Sequence, residues 1–272
     1  FRQNQYLANA YSRYAGLVLR HALRPYLHGQ VEGTWAGRRI RLQQSGLEWQ
    51  LVSAASSEHA AEDVLLTVVP WLTDVPWPEG LQLLPVERFI AWPAIGQEPQ
   101  QSAYQGHWIT LSPSDMYCVE RFGLLVDQAL YRMVLLSYSQ PLTKIPVKVL
   151  ALADGIQGVH VDHQAHALEV REIVPAESIE LLKNALIAAN STRQGLALEQ
   201  LNQEILALEN CPVCKAKADL VFQSPAGFRT NCEGCGTQRY LRQQDGRFVF
   251  EQNVSGRAEF LTLGRRAFSM QI

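Results

Sequence analysis

The chain has 272 residues, enough for one large domain or two modest ones. With 47% hydrophobic and 18% charged residues it has the composition of a globular protein with a buried core, which excludes wholesale disorder. Its most apolar helical stretch, residues 116–138, is interrupted by Glu120, Arg121, Asp127 and Arg132, which excludes a membrane span there, since a span needs about 20 apolar residues with few or no charges. The net charge of −2 is unevenly spread. From residue 211 onward two Lys and seven Arg stand against two Asp and three Glu, a balance of +4, so the first 210 residues carry −6. A basic tail on an acidic body suits contact with a polyanion or an acidic partner. The chain begins at Phe1 rather than Met, so residues are expected to precede it.

The opening stretch, residues 5–23, places Tyr6, Ala10, Tyr14, Leu17, Val18 and Ala22 at three- and four-residue steps, the spacing of a helix packed by one face. Pro25 ends it. Residues 34–42 and 48–52 flank a Gln44-Ser45-Gly46 turn and predict a hairpin. A short helix from Glu58 and a strand from Val64 are expected next, then a proline-rich loop with Trp71 and Trp77. Residues 81–92 read as a broken strand ending at Trp92, 96–106 as a loop, and 107–111 as a short strand. The tryptophans are expected to close a sheet edge. Ser112-Pro113-Ser114-Asp115 is a helix start, because hydroxyl and carboxylate groups accept the free N–H groups of a first turn. The helix is expected to run to about residue 139, with Cys118 packed inside as a small hydrophobe.

Residues 145–152 alternate like a buried strand, and 159–162 with 168–173 predict a second hairpin. Pro175-Ala176-Glu177 opens a helix to residue 189. Ser191-x-x-Gln194 has the form of a capping box for another, ending near residue 209. The resulting expectation is an α+β, mixed and mainly antiparallel body over 1–175, a helical hairpin over 176–209, and a β-rich module with a C-terminal strand tail over 210–272. Strands and helices do not alternate regularly, which argues against a doubly wound parallel sheet.

The last quarter carries two C-x-x-C pairs, Cys211/Cys214 and Cys232/Cys235, 17 residues apart. Two residues between cysteines let one tight turn present both thiolates to one ion, and two such turns complete a tetrahedron. Between the pairs, residues 219–223 and 228–232 read as strands joined at Ser224-Pro225-Ala226-Gly227. After them, 237–242 and 247–251 are joined at Asp245-Gly246. A redox C-x-x-C would sit beside a βαβ pattern, which is absent. Five cysteines so spaced in a chain this size suit a reduced, cytoplasmic protein rather than a disulfide framework.

Over about residues 209–252 the chain resembles the zinc-ribbon folds, on CPVC, CEGC, their spacing and the strand-like sequence around them. Lys215 stands after the first pair where such knuckles often have the Gly seen at Gly236. The resemblance implies a structural Zn ion on Cys211, Cys214, Cys232 and Cys235, with four thiolates leaving no open position for catalysis. A four-cysteine iron centre is the alternative. It also implies a non-catalytic subunit of a nucleic-acid-processing assembly, working with other protein subunits and touching DNA, RNA or a protein partner. Arg229, Arg239, Tyr240, Arg242 and Arg247, with Phe222 and Phe228, are the candidates for that contact, since cations neutralise phosphates and aromatics stack on bases. A docking scaffold with no nucleic-acid contact is a third expectation.

One rival for chemistry is the segment holding His160, Asp162, His163, His166, Glu169 and Glu172. Asp154 or Asp162 followed by Glu169-Val170-Arg171 has the outline of a PD-(D/E)xK metal-dependent nuclease, with Arg171 where the lysine belongs. No phosphate-binding loop, nucleophile elbow or dinucleotide fingerprint occurs.

Overall fold

The computed structural model describes residues 2–27, 31–54, 62–72, 88–93, 107–115, 117–138, 140–223, 227–254 and 268–272. They form an α+β fold of helices and three sheets, antiparallel except at two strand pairs. Among the described residues no helix is long and apolar enough to cross a membrane. The chain divides into two compact units between Leu130 and Tyr131.

The first unit opens with helix α1 (Arg2–Leu23). A six-stranded sheet follows: β1 (Glu32–Trp35), β2 (Arg38–Ser45), β3 (Glu48–Ala54), β4 (Glu62–Pro70), β5 (Arg88–Trp92) and β6 (His107–Thr110), in that order. Strands β1 to β4 form an antiparallel meander, and β5 and β6 add in parallel. The strand expected over 34–42 is broken. Ala36 and Gly37 take φ of 51° and 72° between paired Trp35 and Arg38, the two positive values a tight hairpin turn needs.

The buried face of α1 differs from the expected one. Tyr6 and Leu17 are exposed, while Ala8, Ser12, Ala15, Val18, Leu19, Ala22 and Leu23 are buried. Small residues let the helix approach the sheet closely. Trp49 of β3 donates its Nε1–H to the Ser12 carbonyl at 2.7 Å, and its ring lies over Gly16. The Ser12 hydroxyl donates to the Leu47 carbonyl at 2.7 Å. Helix α2 (Cys118–Ser137) begins in this unit, with Phe122, Val126 and Leu130 buried. Its start is as expected: Asp115 accepts the Tyr117 N–H at 2.9 Å and pairs with Arg121. Cys118 is buried. Trp92 is buried and Trp71 half-buried, while Trp77, the loop at 96–106 and the helix expected from Glu58 fall outside the described residues.

The second unit takes up α2 from Tyr131 and adds α3 (Val147–Ala153), a hairpin of β7 (Val159–Asp162) and β8 (Ala167–Val170), and a helix pair, α4 (Ala176–Ala188) and α5 (Thr192–Leu208). The strand expected over 145–152 is the helix α3. Pro146 holds extended angles at its start, and Val149, Leu150 and Ala153 are buried at helical spacing while Val147 is exposed, so the β-branched residues misled the reading. Ser191 sits at the start of α5 but makes no side-chain cap, so the capping box is not formed. Asn202 of α5 is buried and accepts the Val174 N–H at 3.0 Å while donating to its carbonyl at 3.1 Å, which fixes the loop after β8.

Five antiparallel strands complete this unit: β9 (Asp219–Gln223), β10 (Gly227–Asn231), β11 (Thr237–Gln244), β12 (Arg247–Val254) and β13 (Phe268–Gln271), in the order β13-β12-β11-β10-β9. Asp245 and Gly246, at φ of 50° and 77°, make the expected turn. Strand β13 lies in the stretch expected as a C-terminal strand tail, and residues 224–226 of the expected turn lie outside the described set. The inward face is built on Phe228, Thr230, Arg239, Leu241, Phe250 and Gln252, all buried. Tyr131 of α2 stacks on Phe250 at 5.2 Å between ring centroids, and Tyr138 meets Phe228 edge-on at 5.7 Å. Aromatic pairs in these geometries stabilise by about 0.5–1.5 kcal/mol beyond the area they bury.

Candidate metal centre

Two similar turns bring the cysteines together. In the first, just after α5, the Cys211 N–H donates to the Ala216 carbonyl at 2.9 Å and the Lys215 N–H to the Cys211 carbonyl at 3.0 Å. In the second, between β10 and β11, the Cys232 N–H donates to the Thr237 carbonyl at 2.9 Å and the Gly236 N–H to the Cys232 carbonyl at 2.7 Å. The residue after each pair takes positive φ, 63° at Lys215 and 72° at Gly236. Lysine therefore adopts the backbone that glycine adopts more cheaply.

Cys211, Cys232 and Cys235 are buried and Cys214 is half-buried. The four Sγ atoms lie within 4.8 Å of one another, with Cys211 to Cys235 and Cys214 to Cys232 each at 3.4 Å. A tetrahedron of 2.3 Å zinc–sulfur bonds has edges of about 3.8 Å, so the set fits one ion bound by four thiolates. Among the described residues no other group of three or more His, Cys, Asp or Glu side chains gathers in this way.

The electrostatics of the thiols differ from one to the next. Burial works to raise Cys211, but the N–H groups of Cys214 and Val213 and the sulfurs of Cys235 and Cys232 outweigh it and hold the thiol at about 7. Burial pushes Cys214 up to about 12 against the opposing N–H of Ala216. It also raises Cys235, against the hydroxyl and N–H of Thr237. The Thr237 hydroxyl oxygen lies 3.0 Å from Cys235 Sγ. Thr237 was not singled out from sequence. The signal for it is its place two residues after the last cysteine, where the chain turns into β11.

The outward face of the five-stranded sheet holds most of the expected contact residues. Arg229 and Tyr240 are cross-strand partners, with Arg242 two residues along the same strand and Arg247 on β12. The three arginines are exposed and Tyr240 is half-buried. Arg242 makes a two-pronged pair with Glu251 at 2.9 and 3.0 Å, and Arg247 donates to Gln271 Oε1 at 3.2 Å. Arg239 does not belong to this set. It alternates inward, is 1% exposed, and donates Nε to Thr230 Oγ1 at 2.9 Å, Nη1 to Tyr131 Oη at 2.8 Å and Nη2 to the Leu208 carbonyl at 2.5 Å. Phe228 is buried and Phe222 half-buried, so the two serve the core.

The histidine and acid segment does not converge. Asp162 Oδ1 accepts the N–H groups of Gln164 and Ala165 at 2.9 and 2.8 Å, the work of a turn residue, and those bonds lower its pKa. Register sets His160 opposite Glu169, but Glu169 is engaged by Arg171, at 2.8 Å from its Nε. His163 Nε2 lies 3.0 Å from Asp154 Oδ2, and both are exposed. Among the described residues these side chains form no cluster of three or more metal-ligating groups, and the arginine that replaces the nuclease lysine holds Glu169. Comparison with known proteins adds no relative: no family model, curated protein or solved structure matches the chain.

Proposed function

We propose that the chain is a non-catalytic subunit of a nucleic-acid-processing assembly, in which a structural zinc ion on Cys211, Cys214, Cys232 and Cys235 fixes a small sheet that contacts nucleic acid. Four thiolates fill the coordination shell, so the ion supplies rigidity rather than activated water. A reducing compartment such as the cytoplasm suits an all-thiolate set. The observation that carries the contact is the outward sheet face, which presents Arg229, Tyr240, Arg242 and Arg247 while Phe228, Leu241 and Phe250 turn inward. Such a face offers cations to phosphate oxygens and one ring to a base.

The test is binding of a fluorescent 20-nucleotide single strand and of a duplex by the zinc-loaded chain. Affinity is expected to fall steeply with salt, and R229A together with R242A to weaken it and reduce the salt slope. Glu251 already neutralises Arg242 in part, which favours a protein-docking face as the second reading. No binding at low salt would select that reading.

A further inference from the structure

We infer that Thr237 is a positioning residue for the metal centre: its hydroxyl donates a hydrogen bond to the Cys235 thiolate and restrains that sulfur's reactivity while it holds the ion. This rests on the zinc reading above.

The two atoms are 3.0 Å apart, and the residues are 1% and 4% exposed, so water does not compete. A metal-bound thiolate has no proton, so the hydroxyl must be the donor. Among the described residues no other hydrogen bond to this oxygen competes for it. The two turns supply an internal comparison. The residue two after the second cysteine of each pair is Ala216 in one and Thr237 in the other. Both backbone N–H groups reach the sulfur of their own turn. Cys211 is likewise served by backbone N–H groups, those of Cys214 and Val213. Thr237 thus adds a side-chain donor that a point substitution removes while the backbone donor stays. Four thiolates around a divalent cation carry a net charge of −2, and each donated hydrogen bond withdraws density from a sulfur that would otherwise attack electrophiles. Groups that orient and polarise metal ligands in this way are each worth roughly 10- to 100-fold in metal affinity or activity.

The experiment compares the zinc-loaded wild type with T237V and T237S. Iodoacetamide forms a carbon–sulfur bond to a thiolate, iodide leaves, and the freed zinc is followed with a chromogenic chelator. T237V keeps the shape without the hydroxyl and is expected to release zinc roughly 10-fold faster. T237S is expected to restore the wild-type rate. In cobalt-substituted protein the sulfur-to-metal charge-transfer band is expected at lower energy in T237V and back at the wild-type position in T237S, which loss of packing alone does not produce. If T237V misfolds, T237A is read in its place. Wild-type protein that takes up no zinc overturns the zinc reading. Wild type that loads zinc, beside a hydroxyl-free variant with unchanged rate and band, overturns the role of Thr237.

Discussion

Arg239 lays its guanidinium over the ring of Tyr131, 5.5 Å from the centroid, and donates Nη1 to the hydroxyl of the same residue at 2.8 Å. Its other nitrogens reach Thr230 and the Leu208 carbonyl at the end of α5, where the negative end of the helix dipole favours a cation. One buried side chain thus ties β10, α2 and α5 around β11, and the Leu208 it holds lies three residues before Cys211. We expect R239A to cost about 3–5 kcal/mol, since it opens a cavity and leaves Leu208 O and the two hydroxyls without their donor. Y131F removes one acceptor from the cation and is expected to cost about 1–3 kcal/mol. A double-mutant cycle by denaturant unfolding checks the pair. Additive costs would show that the two residues do not act as a unit.

The cysteine turns make a separate prediction. The first follows α5 and the second joins β10 to β11, so an ion held by both turns would link separate parts of the chain. C214S together with C232S is expected to abolish stoichiometric zinc and to lower the unfolding midpoint, with chelator treatment of the wild type giving the same loss. Elemental analysis alongside thermal unfolding is the measurement. Wild-type protein that purifies folded and metal-free would refute it.

Much of this centre was legible in the sequence because thiolate spacing and turn chemistry are local. Two C-x-x-C pairs and Asp245-Gly246 each specify a geometry within a few residues. What the sequence hid were features settled by partners distant along the chain. Arg239 reads as a surface cation until Tyr131, 108 residues away, is seen to accept a hydrogen bond from it. Ser12 and Gly16 read as polar or neutral until Trp49 is seen against them. In α3 the alternation of 145–152 favoured a strand, and burial at helical spacing decided otherwise. The fold class survived these errors because α3 and the hidden face of α1 change local contacts rather than the mix of helices and antiparallel sheets.

Lys215 offers a stabilising substitution. At φ of 63° it pays the left-handed penalty that Gly236, its counterpart in the other turn, avoids. K215G is expected to raise stability by about 1 kcal/mol, the cost of a non-glycine residue in that region. The lysine is exposed. Denaturant midpoints of zinc-loaded protein decide it, and a lower midpoint for K215G would mean that the lysine makes a contact worth more than the strain.

In the first unit Gly16 sits under a tight constraint. A methyl group there would sit 2.2 Å from Trp49 Cζ2 and 2.4 Å from its Cε2, far inside van der Waals contact. The ring cannot easily yield, because Nε1 is held by the Ser12 carbonyl and Arg20 lies over the ring at 5.3 Å. Alanine normally strengthens a helix relative to glycine by about 1 kcal/mol, so the local effect and the packing effect have opposite signs. Overpacking of this severity costs about 1–3 kcal/mol or more and wins. G16A is therefore expected to destabilise despite its better helix propensity, with tryptophan fluorescence reporting the displaced ring. Pairing it with W49F, which trims the ring, is expected to recover part of the loss. An unchanged or higher midpoint for G16A alone would show that α1 can shift on β3 at no cost.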